Sequence, residues 1–321
     1  TTRPSLGHRP TALSSQHTVA TIKRPSSSTT MADDAAAKMT TETASAVVRV
    51  FHHADSSTCQ YVVSEKAAKE GKRQCVIIDS CWDYDQASCT ISTEAADELL
   101  AYVRDNELEI AMVCDTHPHA DHLSAAQYIK RHAKAGAQYT IGEHVKAVQT
   151  NFKPVYNFDW LVTDGSQFDR LLADNESFEC GSLKFTAWHV PGHTPACIAY
   201  VLNDTEGAFV GDTLFQPGSG TARCDFVGGS AAQLYDSTRR LLTKLPADAK
   251  IFLCHDYPSA RELIWCVTVA EQRANNKHVK DGVSKDEFVK MRTERDATLK
   301  YPRLLLPSIQ VNINGAELPP A

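Results

Sequence analysis

The sequence lacks the features that mark several large classes of protein. Its 321 residues contain 33 basic and 39 acidic side chains, so no excess of positive charge indicates a nucleic-acid-binding surface. It has no run of about 20 apolar residues, the length that a membrane-spanning helix needs. Neither a Gly-x4-Gly-Lys-Ser/Thr phosphate loop nor a Gly-x-Ser-x-Gly nucleophile turn occurs. We therefore expect no nucleic acid and no membrane as partners, and no serine-hydrolase chemistry.

Cysteine is plentiful, but its pattern does not indicate disulfides. The ten cysteines are a small fraction of a long chain, and no two of them form a Cys-x-x-Cys pair. Several lie in apolar runs, as Cys75 does before Val76-Ile77-Ile78. We therefore expect most of them to be reduced and buried in an intracellular protein.

The first 45 residues differ in composition from the rest. Residues 1–32 contain four Lys and Arg side chains, many Ser and Thr, and no acidic residue. This composition is typical of a mitochondrial transit peptide, and the alternative is a disordered tail on a cytoplasmic protein. Residues 33–45 are interpreted as a linker. We predict one folded domain over residues 46–321, beginning near Val47 and ending in a short C-terminal extension.

Strand and helix patterns alternate along that domain. The predicted strands are 59–63, 75–79, 110–114, 139–141, 185–190, 198–202, 208–211 and 251–254. The predicted helices are 93–107, capped by Ser92 or Thr93, 123–132, 231–245 and 284–291, the last opening with a Ser284-x-x-Glu287 capping box. Two batches of strands with helices between and after them favour two packed sheets covered by helices.

The strongest signal for chemistry is a histidine-rich segment that directly follows a predicted strand. It contains His117, His119 and His122 together with the carboxylate of Asp121. Imidazole nitrogens and carboxylate oxygens are ligands suited to zinc or iron. Asp121 has a second interpretation, in which it orients a neighbouring imidazole.

Three further polar positions each follow a predicted strand. His193 stands in Pro191-Gly192-His193-Thr194, Asp212 in Gly211-Asp212-Thr213, and His255 in Cys254-His255-Asp256-Tyr257. Each turn is weak evidence alone, because such tripeptides are common in ordinary turns. In this order, and with the histidine-rich segment, they predict one metal centre at the strand ends.

These motifs resemble the metal-site signature of the metallo-β-lactamase superfamily. His-x-His-x-Asp-His, Gly-His, Gly-Asp and a late His follow in order, and all seven ligand positions are filled: His117, His119, Asp121, His122, His193, Asp212 and His255. The resemblance covers the chain from Val47 to about Met291 and implies an α/β fold, a four-layer αββα sandwich with metals at one edge between the sheets. The ligands leave open two metals bridged by Asp212 or a single iron on two His and one carboxylate.

The segment from Gly220 to Phe226, with the turn around His193 and His255-Asp256-Tyr257, is similar to the persulfide dioxygenase branch. That resemblance implies oxidation of glutathione persulfide by O2 to sulfite and glutathione, in sulfide detoxification. It implies one Fe(II) per chain, with His117, His193 and Asp212 as catalytic metal ligands. The other four, His119, Asp121, His122 and His255, would then orient the ligands or, in a dinuclear centre, hold a second metal.

Two residues are the candidates for binding substrate. Arg223 is expected to hold a glutathione carboxylate through its guanidinium fork, and its alternative is an ion pair with Asp225. Tyr257 is expected to donate a hydrogen bond at the pocket wall, and its alternative is ordinary packing. Cys224 stands where the family commonly shows Thr, so it is interpreted as filling that volume, with a persulfide-relay thiol as the alternative.

Two other functions stay open at this point. A hydroxyacylglutathione hydrolase (glyoxalase II) uses the same seven ligands with two Zn(II), or a mixed Fe/Zn pair, to hydrolyse a thioester. The residues after Tyr257 do not look like that family's helical substrate-binding domain. A binding scaffold without catalysis would be favoured by loss of a ligand, and none is lost. The hypothesis allows a homodimer.

Overall fold

The structure is a computed structural model, and it describes residues 39–68, 70–134 and 136–318. The strands of this part are β1 (Thr40–Glu42), β2 (Ala46–His53), β3 (Thr58–Glu65), β4 (Gln74–Ile78), β5 (Asp83–Asp85), β6 (Thr90–Ser92), β7 (Glu109–Cys114), β8 (Gln138–Gly142), β9 (Arg170–Leu172), β10 (Ser177–Cys180), β11 (Leu183–His189), β12 (Ile198–Leu202), β13 (Gly207–Phe209), β14 (Lys250–Phe252) and β15 (Cys266–Thr268). The helices are α1 (Glu94–Asp105), α2 (Ala126–His132), α3 (Val145–Tyr156), α4 (Ala231–Lys244), α5 (Val269–Asn275), α6 (Lys285–Asp296) and α7 (Leu305–Asn312), with a 3-10 turn at Gly211–Thr213.

Two mixed sheets form the centre of the molecule. The first has the strand order β1-β2-β3-β4-β7-β8-β9, and the second has the order β10-β11-β12-β13-β14-β15. In the first sheet, β4, β7, β8 and β9 run parallel, whereas in the second only β13 and β14 do. Every residue of β3 is buried, because this strand is covered on both faces.

Three apolar clusters hold the layers together. One lies between the sheets and combines side chains such as Tyr61 and Ile78 with Phe185 and Phe209. A second joins the outer face of the first sheet to α1 and α2, and a third joins the outer face of the second sheet to α4, α5 and α6. The predicted αββα sandwich is therefore confirmed.

Local details differ from the sequence-based expectations in several places. The strand Thr40–Glu42 pairs with β2 inside the predicted linker, so ordered structure begins before Val47. Thr93 precedes α1 but its hydroxyl donates to Asp97 Oδ2 at 2.6 Å, and Asp83 accepts from Ala95 N instead. Three helices, α3, α5 and α7, were not predicted, and neither were the strands β2, β5, β6, β9, β10 and β15.

The capping box of α6 is confirmed. Ser284 Oγ accepts from the backbone of Glu287, and the Glu287 carboxylate accepts from Ser284 N at 2.9 Å. Among the described residues, no helix is long and apolar enough to cross a bilayer. The predicted transit peptide, residues 1–32, lies outside the described residues.

Candidate metal centre

The polar turns that follow four strands meet at one edge of the two sheets. His117, His119, Asp121 and His122 come after β7, His193 after β11, Asp212 after β13 and His255 after β14. Gly211 lets the turn that carries Asp212 approach the histidine-rich segment closely, because it has φ +51° and a Cβ there would lie 2.6 Å from Thr116 Oγ1. All seven predicted ligands are thus brought together.

Two imidazoles and one carboxylate form one compact set in this cluster. Asp212 Oδ2 lies 3.5 Å from His193 Nε2 and 4.0 Å from His117 Nε2. One ligand atom of each of these three residues lies within 4.8 Å of the others. This two-nitrogen, one-oxygen set is the donor combination of mononuclear non-haem iron sites.

A second set adjoins it through the other oxygen of Asp212. His255 Nε2 lies 3.4 Å from Asp212 Oδ1 and 3.3 Å from Asp121 Oδ2. His122 Nδ1 lies 3.5 Å from Asp121 Oδ1. Asp212 therefore stands between the two sets, where a carboxylate can bridge two ions.

Several buried atoms of the cluster lack a hydrogen-bond partner among the described residues. They are His117 Nε2, His119 Nδ1, His122 Nε2, His255 Nε2 and Asp212 Oδ1. Buried polar atoms are normally paired, and unpaired lone pairs on imidazole and carboxylate are what a metal ion satisfies. The residues present therefore fit a metal ion.

Hydrogen bonds on the opposite ring nitrogens turn these imidazoles toward the centre. His193 Nδ1 donates to Arg223 O at 2.8 Å, and His255 Nδ1 donates to Ser57 O at 3.2 Å. A carbonyl only accepts, so these bonds require a proton on Nδ1 and leave the lone pair on Nε2. Each ring is therefore held in the tautomer that a metal requires.

Asp79 is a residue of this site that the sequence analysis missed. It follows β4, is fully enclosed, and accepts from Thr116 N at 2.7 Å and from Thr116 Oγ1 at 3.0 Å. Its Oδ1 also lies 3.0 Å from His119 Nε2, which leaves His119 Nδ1 facing the centre. Burial raises the pKa of Asp79 to about 6. An acid directly after the apolar run Val76-Ile77-Ile78 was the available signal.

Asn312, the last residue of α7, is the second residue that was missed. Its Nδ2 donates to His119 O and to His122 O, both at 2.8 Å, and its Oδ1 accepts from Ser124 N at 2.8 Å. One buried amide therefore fixes the backbone of the histidine-rich segment from the far end of the chain. No motif in the sequence indicates this role.

The electrostatics favour neutral imidazoles at His117 and His119 and an ionised carboxylate at Asp121. Burial, and then the neighbouring imidazoles, hold the pKa of His117 and of His119 well below the usual range. Burial opposes ionisation of Asp121, but attraction to His255 and a hydrogen bond from His122 lower its pKa well below normal. Burial raises the pKa of Asp212. At His255 burial lowers the pKa, but the charges of Asp121 and Asp212 outweigh burial, so the pKa of this imidazole is raised. Neutral rings with free lone pairs are the metal-binding form.

A cavity of about 500 Å³ opens on the centre, and it brings the predicted substrate residues to the metal site. Tyr257 lines it with 55% of its surface exposed, stacked on His255 at 6.1 Å, and its hydroxyl makes no hydrogen bond within the described chain. The hydroxyl is therefore free to contact a ligand.

Arg223 also lines the cavity, and it makes the ion pair with Asp225 that the sequence analysis gave as the alternative. Its Nε and Nη2 donate to the two oxygens of Asp225 at 2.6 Å, and its Nη1 donates to Lys300 O at 2.6 Å. The fork expected to hold a substrate carboxylate is thus occupied by Asp225. Through these bonds the Arg223 side chain stabilises its own loop, and the backbone carbonyl of Arg223 accepts from His193 Nδ1.

Cys224 does not line this cavity. Its side chain is 7% exposed and belongs to the apolar cluster under α4 and α6, and burial raises the pKa of its thiol. A buried thiol of raised pKa is a poor nucleophile. The volume-filling interpretation fits this position, and the persulfide-relay interpretation does not.

A family profile described as the metallo-β-lactamase superfamily matches residues 61–255. The chain belongs to the metallo-β-lactamase superfamily. A protein named Glyoxylase B2 from Dictyostelium discoideum is 50% identical over 277 residues, which cover 86% of this chain and 92% of that protein. The Bos taurus protein named persulfide dioxygenase ETHE1, mitochondrial, is 28% identical over 276 residues, which cover 86% of this chain and 91% of that protein. The crystal structure of ETHE1 from Myxococcus xanthus has a TM-score of 0.65 at 27% identity, covering 84% of this chain and 99% of that chain.

Proposed function

We propose that this metallo-β-lactamase-fold protein is an iron-dependent persulfide dioxygenase. It would oxidise glutathione persulfide with O2 to sulfite and glutathione, in sulfide detoxification. The terminal sulfur is oxidised, O2 is reduced, the S–S bond breaks, and one water supplies the third sulfite oxygen as two protons are released. The observation that carries the proposal is the set of His117 Nε2, His193 Nε2 and Asp212 Oδ2, which suits one ferrous ion.

The residues of this chain hold and shield that set. Bound there, ferrous iron supplies the electron transfer to O2 that oxidation of a persulfide sulfur requires. Phe226 meets the ring of His193 edge-on at 5.4 Å, and Phe215 meets His255 at 6.1 Å. These aromatic side chains give the centre an apolar wall, which limits access of water to the reacting atoms.

The similarity to proteins named persulfide dioxygenase supports the proposal. The bovine and Myxococcus xanthus proteins are similar to this chain over most of its length. The chain's own loop from Gly220 to Phe226, the part that resembles this branch, lies at the metal site, because Arg223 O holds His193. The metal and its stoichiometry are therefore the first property to measure.

A dinuclear thioesterase of the glyoxalase II type is the second candidate. It is favoured by the unpaired His122 Nε2 and by the unpaired His255 Nε2, which lies 3.3 Å from Asp121 Oδ2. Together with Asp121 these atoms offer a second ligand set. The name of the Dictyostelium discoideum relative supports the same candidate. Two Zn(II) or a mixed Fe/Zn pair would then occupy the centre.

Metal content and oxygen uptake separate the two candidates. For the dioxygenase we expect about one iron per chain, O2 uptake with glutathione persulfide, and one sulfite formed per O2 consumed. Two zinc ions per chain, with hydrolysis of S-lactoylglutathione and no O2 uptake, would contradict the dioxygenase and support the thioesterase.

Single substitutions test the ligand set itself. Asp212→Ala should abolish activity and most metal binding, because it removes the only carboxylate of the one-iron set. His117→Ala should do the same, whereas His119→Ala should retain appreciable metal. His132→Ala, at an exposed histidine away from the site, is the matched control and should keep full metal content. Equal metal loss in the His117 and His119 variants would argue for the dinuclear centre.

Mitochondrial import and a homodimer are part of the proposal. The bovine relative is named mitochondrial. Residues 1–32 should be absent from the mature protein in isolated mitochondria, which N-terminal sequencing would show. Light scattering coupled to gel filtration should give twice the mass of one chain, and a monomer mass would contradict the homodimer.

A further inference from the structure

Because Arg223 is already paired, the anionic end of the substrate needs another partner. We infer that Lys277, Arg295 and Lys300, here called the rim cations, bind the carboxylates of a thiol substrate of tripeptide size. This inference rests on the proposed function for the identity of the substrate, and it concerns a part of the cavity away from the metal ligands.

Acidic and basic side chains occupy different parts of the cavity lining. The acidic side chains in its lining are Asp121 and Asp212, and both belong to the metal centre. The basic side chains are Arg223, Arg292 and the rim cations. The chain as a whole has a net charge of −6, so this concentration of positive charge is local. It attracts an anion to the cavity and discourages a cationic substrate.

Two of the five basic side chains are neutralised within the protein. Arg223 is bonded to Asp225, and its side chain is only 12% exposed. Arg292 is 2% exposed and is bonded to Asp296 at 2.6 Å and to Thr221 O at 3.2 Å. Neither guanidinium therefore has its charge free for a ligand.

The rim cations differ from these two in both respects. Each is exposed, and none makes an ion pair with any residue that the structure describes. They come from three positions around the opening: Lys277 follows α5, Arg295 lies in the last turn of α6, and Lys300 follows that helix. Convergence of separate segments on one opening is what a binding site requires of exposed charges.

The burial of the lining residues decreases from the floor of the cavity to its rim. His193, Asp212 and His255 are buried at the floor, whereas the rim cations are exposed. The lining also includes the apolar side chains of Phe215 and Leu299. A matching ligand has a soft reacting group at one end and anionic groups at the other. A thiol tripeptide with two carboxylates has this form, and about 500 Å³ is within the range of small-molecule sites.

Binding of an unreactive analogue tests the inference independently of catalysis. We would titrate S-methylglutathione into the full chain by calorimetry and compare Lys277→Gln, Arg295→Gln, Lys300→Gln and the triple variant. Each single change should weaken binding roughly three-fold and the triple change more than about ten-fold. The affinity of the unsubstituted protein should also fall with added salt, because the contacts are exposed.

Two controls identify which charges matter. Lys290→Gln, an exposed lysine of α6 that does not line the cavity, should leave the affinity unchanged. The diethyl ester of S-methylglutathione should bind the unsubstituted protein as weakly as the diacid binds the triple variant. S-methyl-coenzyme A, which is larger and carries phosphates, should bind more weakly than S-methylglutathione.

Several outcomes would overturn the inference. No binding of the diacid to the unsubstituted protein, an unchanged affinity in the triple variant, or equal affinity for the diester would each show that the rim cations do not hold carboxylates. Equally tight binding of S-methyl-coenzyme A would show that the cavity does not select a thiol of tripeptide size with two carboxylates. If the triple variant loses binding but the unsubstituted protein shows no O2 uptake, the inference about the rim cations stands and the dioxygenase proposal is refuted.

Discussion

Replacing Asn312 by leucine should destabilise the protein and weaken its hold on metal. The side chain is 1% exposed, and its three hydrogen bonds of 2.8 Å all end on the backbone between His119 and Ser124. Leucine has a similar size, so the change removes hydrogen bonds with little change in volume. Two carbonyls and one N–H would be left buried without partners.

The magnitude follows from these three groups. A buried group left unpaired costs about 1–3 kcal/mol, so the loss should total about 3–5 kcal/mol after partial relaxation. That is a large part of the roughly 5–15 kcal/mol by which a domain is stable. Because His119 and His122 are carried by the same backbone, metal affinity should also fall by roughly ten-fold or more.

The assay is urea unfolding of the metal-free protein, with cobalt or zinc titration of the folded protein. Asn312→Asp should be at least as harmful as Asn312→Leu, since a carboxylate keeps the bond from Ser124 N but faces two carbonyl oxygens. Asn314→Leu is the matched control, because that side chain makes no hydrogen bond within the described residues and should change stability by less than about 1 kcal/mol. A loss below 1 kcal/mol for Asn312→Leu, with unchanged metal affinity, would refute the reasoning.

Three further predictions concern the C-terminal helices and the thiols. Arg292→Met should cost about 3–5 kcal/mol in urea unfolding, because it leaves the buried Asp296 carboxylate unpaired, whereas Arg295→Met on the same helix should cost less than about 0.5 kcal/mol. Burial and then the charge of Arg292 lower the pKa of His278 from 6.5 to about 4. As the pH falls, the unfolded chain therefore protonates this histidine before the folded protein does. The free energy of unfolding should fall by up to roughly 3 kcal/mol between pH 6.5 and pH 4. Ellman's reagent should react quickly with one thiol of the folded protein, the exposed Cys89, and with all ten after unfolding.

Each of these three predictions would be contradicted by a specific result. Equal stability of the two arginine variants would show that the buried ion pair is unimportant. His278→Gln, which cannot titrate, should flatten the pH dependence, and an unchanged slope would assign it to other groups. All ten cysteines are free in the structure. Fewer than ten reactive thiols in the unfolded, unreduced protein would indicate disulfides and would contradict this prediction.

The fold and the family could be predicted from sequence because their signals are local. Apolar strands such as 75–79 and 110–114, and the capping box at Ser284, report backbone structure within a few residues. The ligand motifs are equally local, since each is a short turn after a strand. Helix α3 was missed, and its last turn contains Pro154, a residue that normally opposes a helix.

The sequence by itself determined the layered α/β fold, the superfamily and the set of side chains that are candidates for holding metal. Only the tertiary structure decided how those side chains are held, through Asp79, Asn312 and the carbonyl of Arg223. It also decided that Arg223 binds Asp225 and leaves the substrate's charge to other residues. The physical reason is range: a strand or turn is stabilised by neighbours in the chain, whereas the hydrogen bonds that orient a buried imidazole join residues 30 to 198 positions apart.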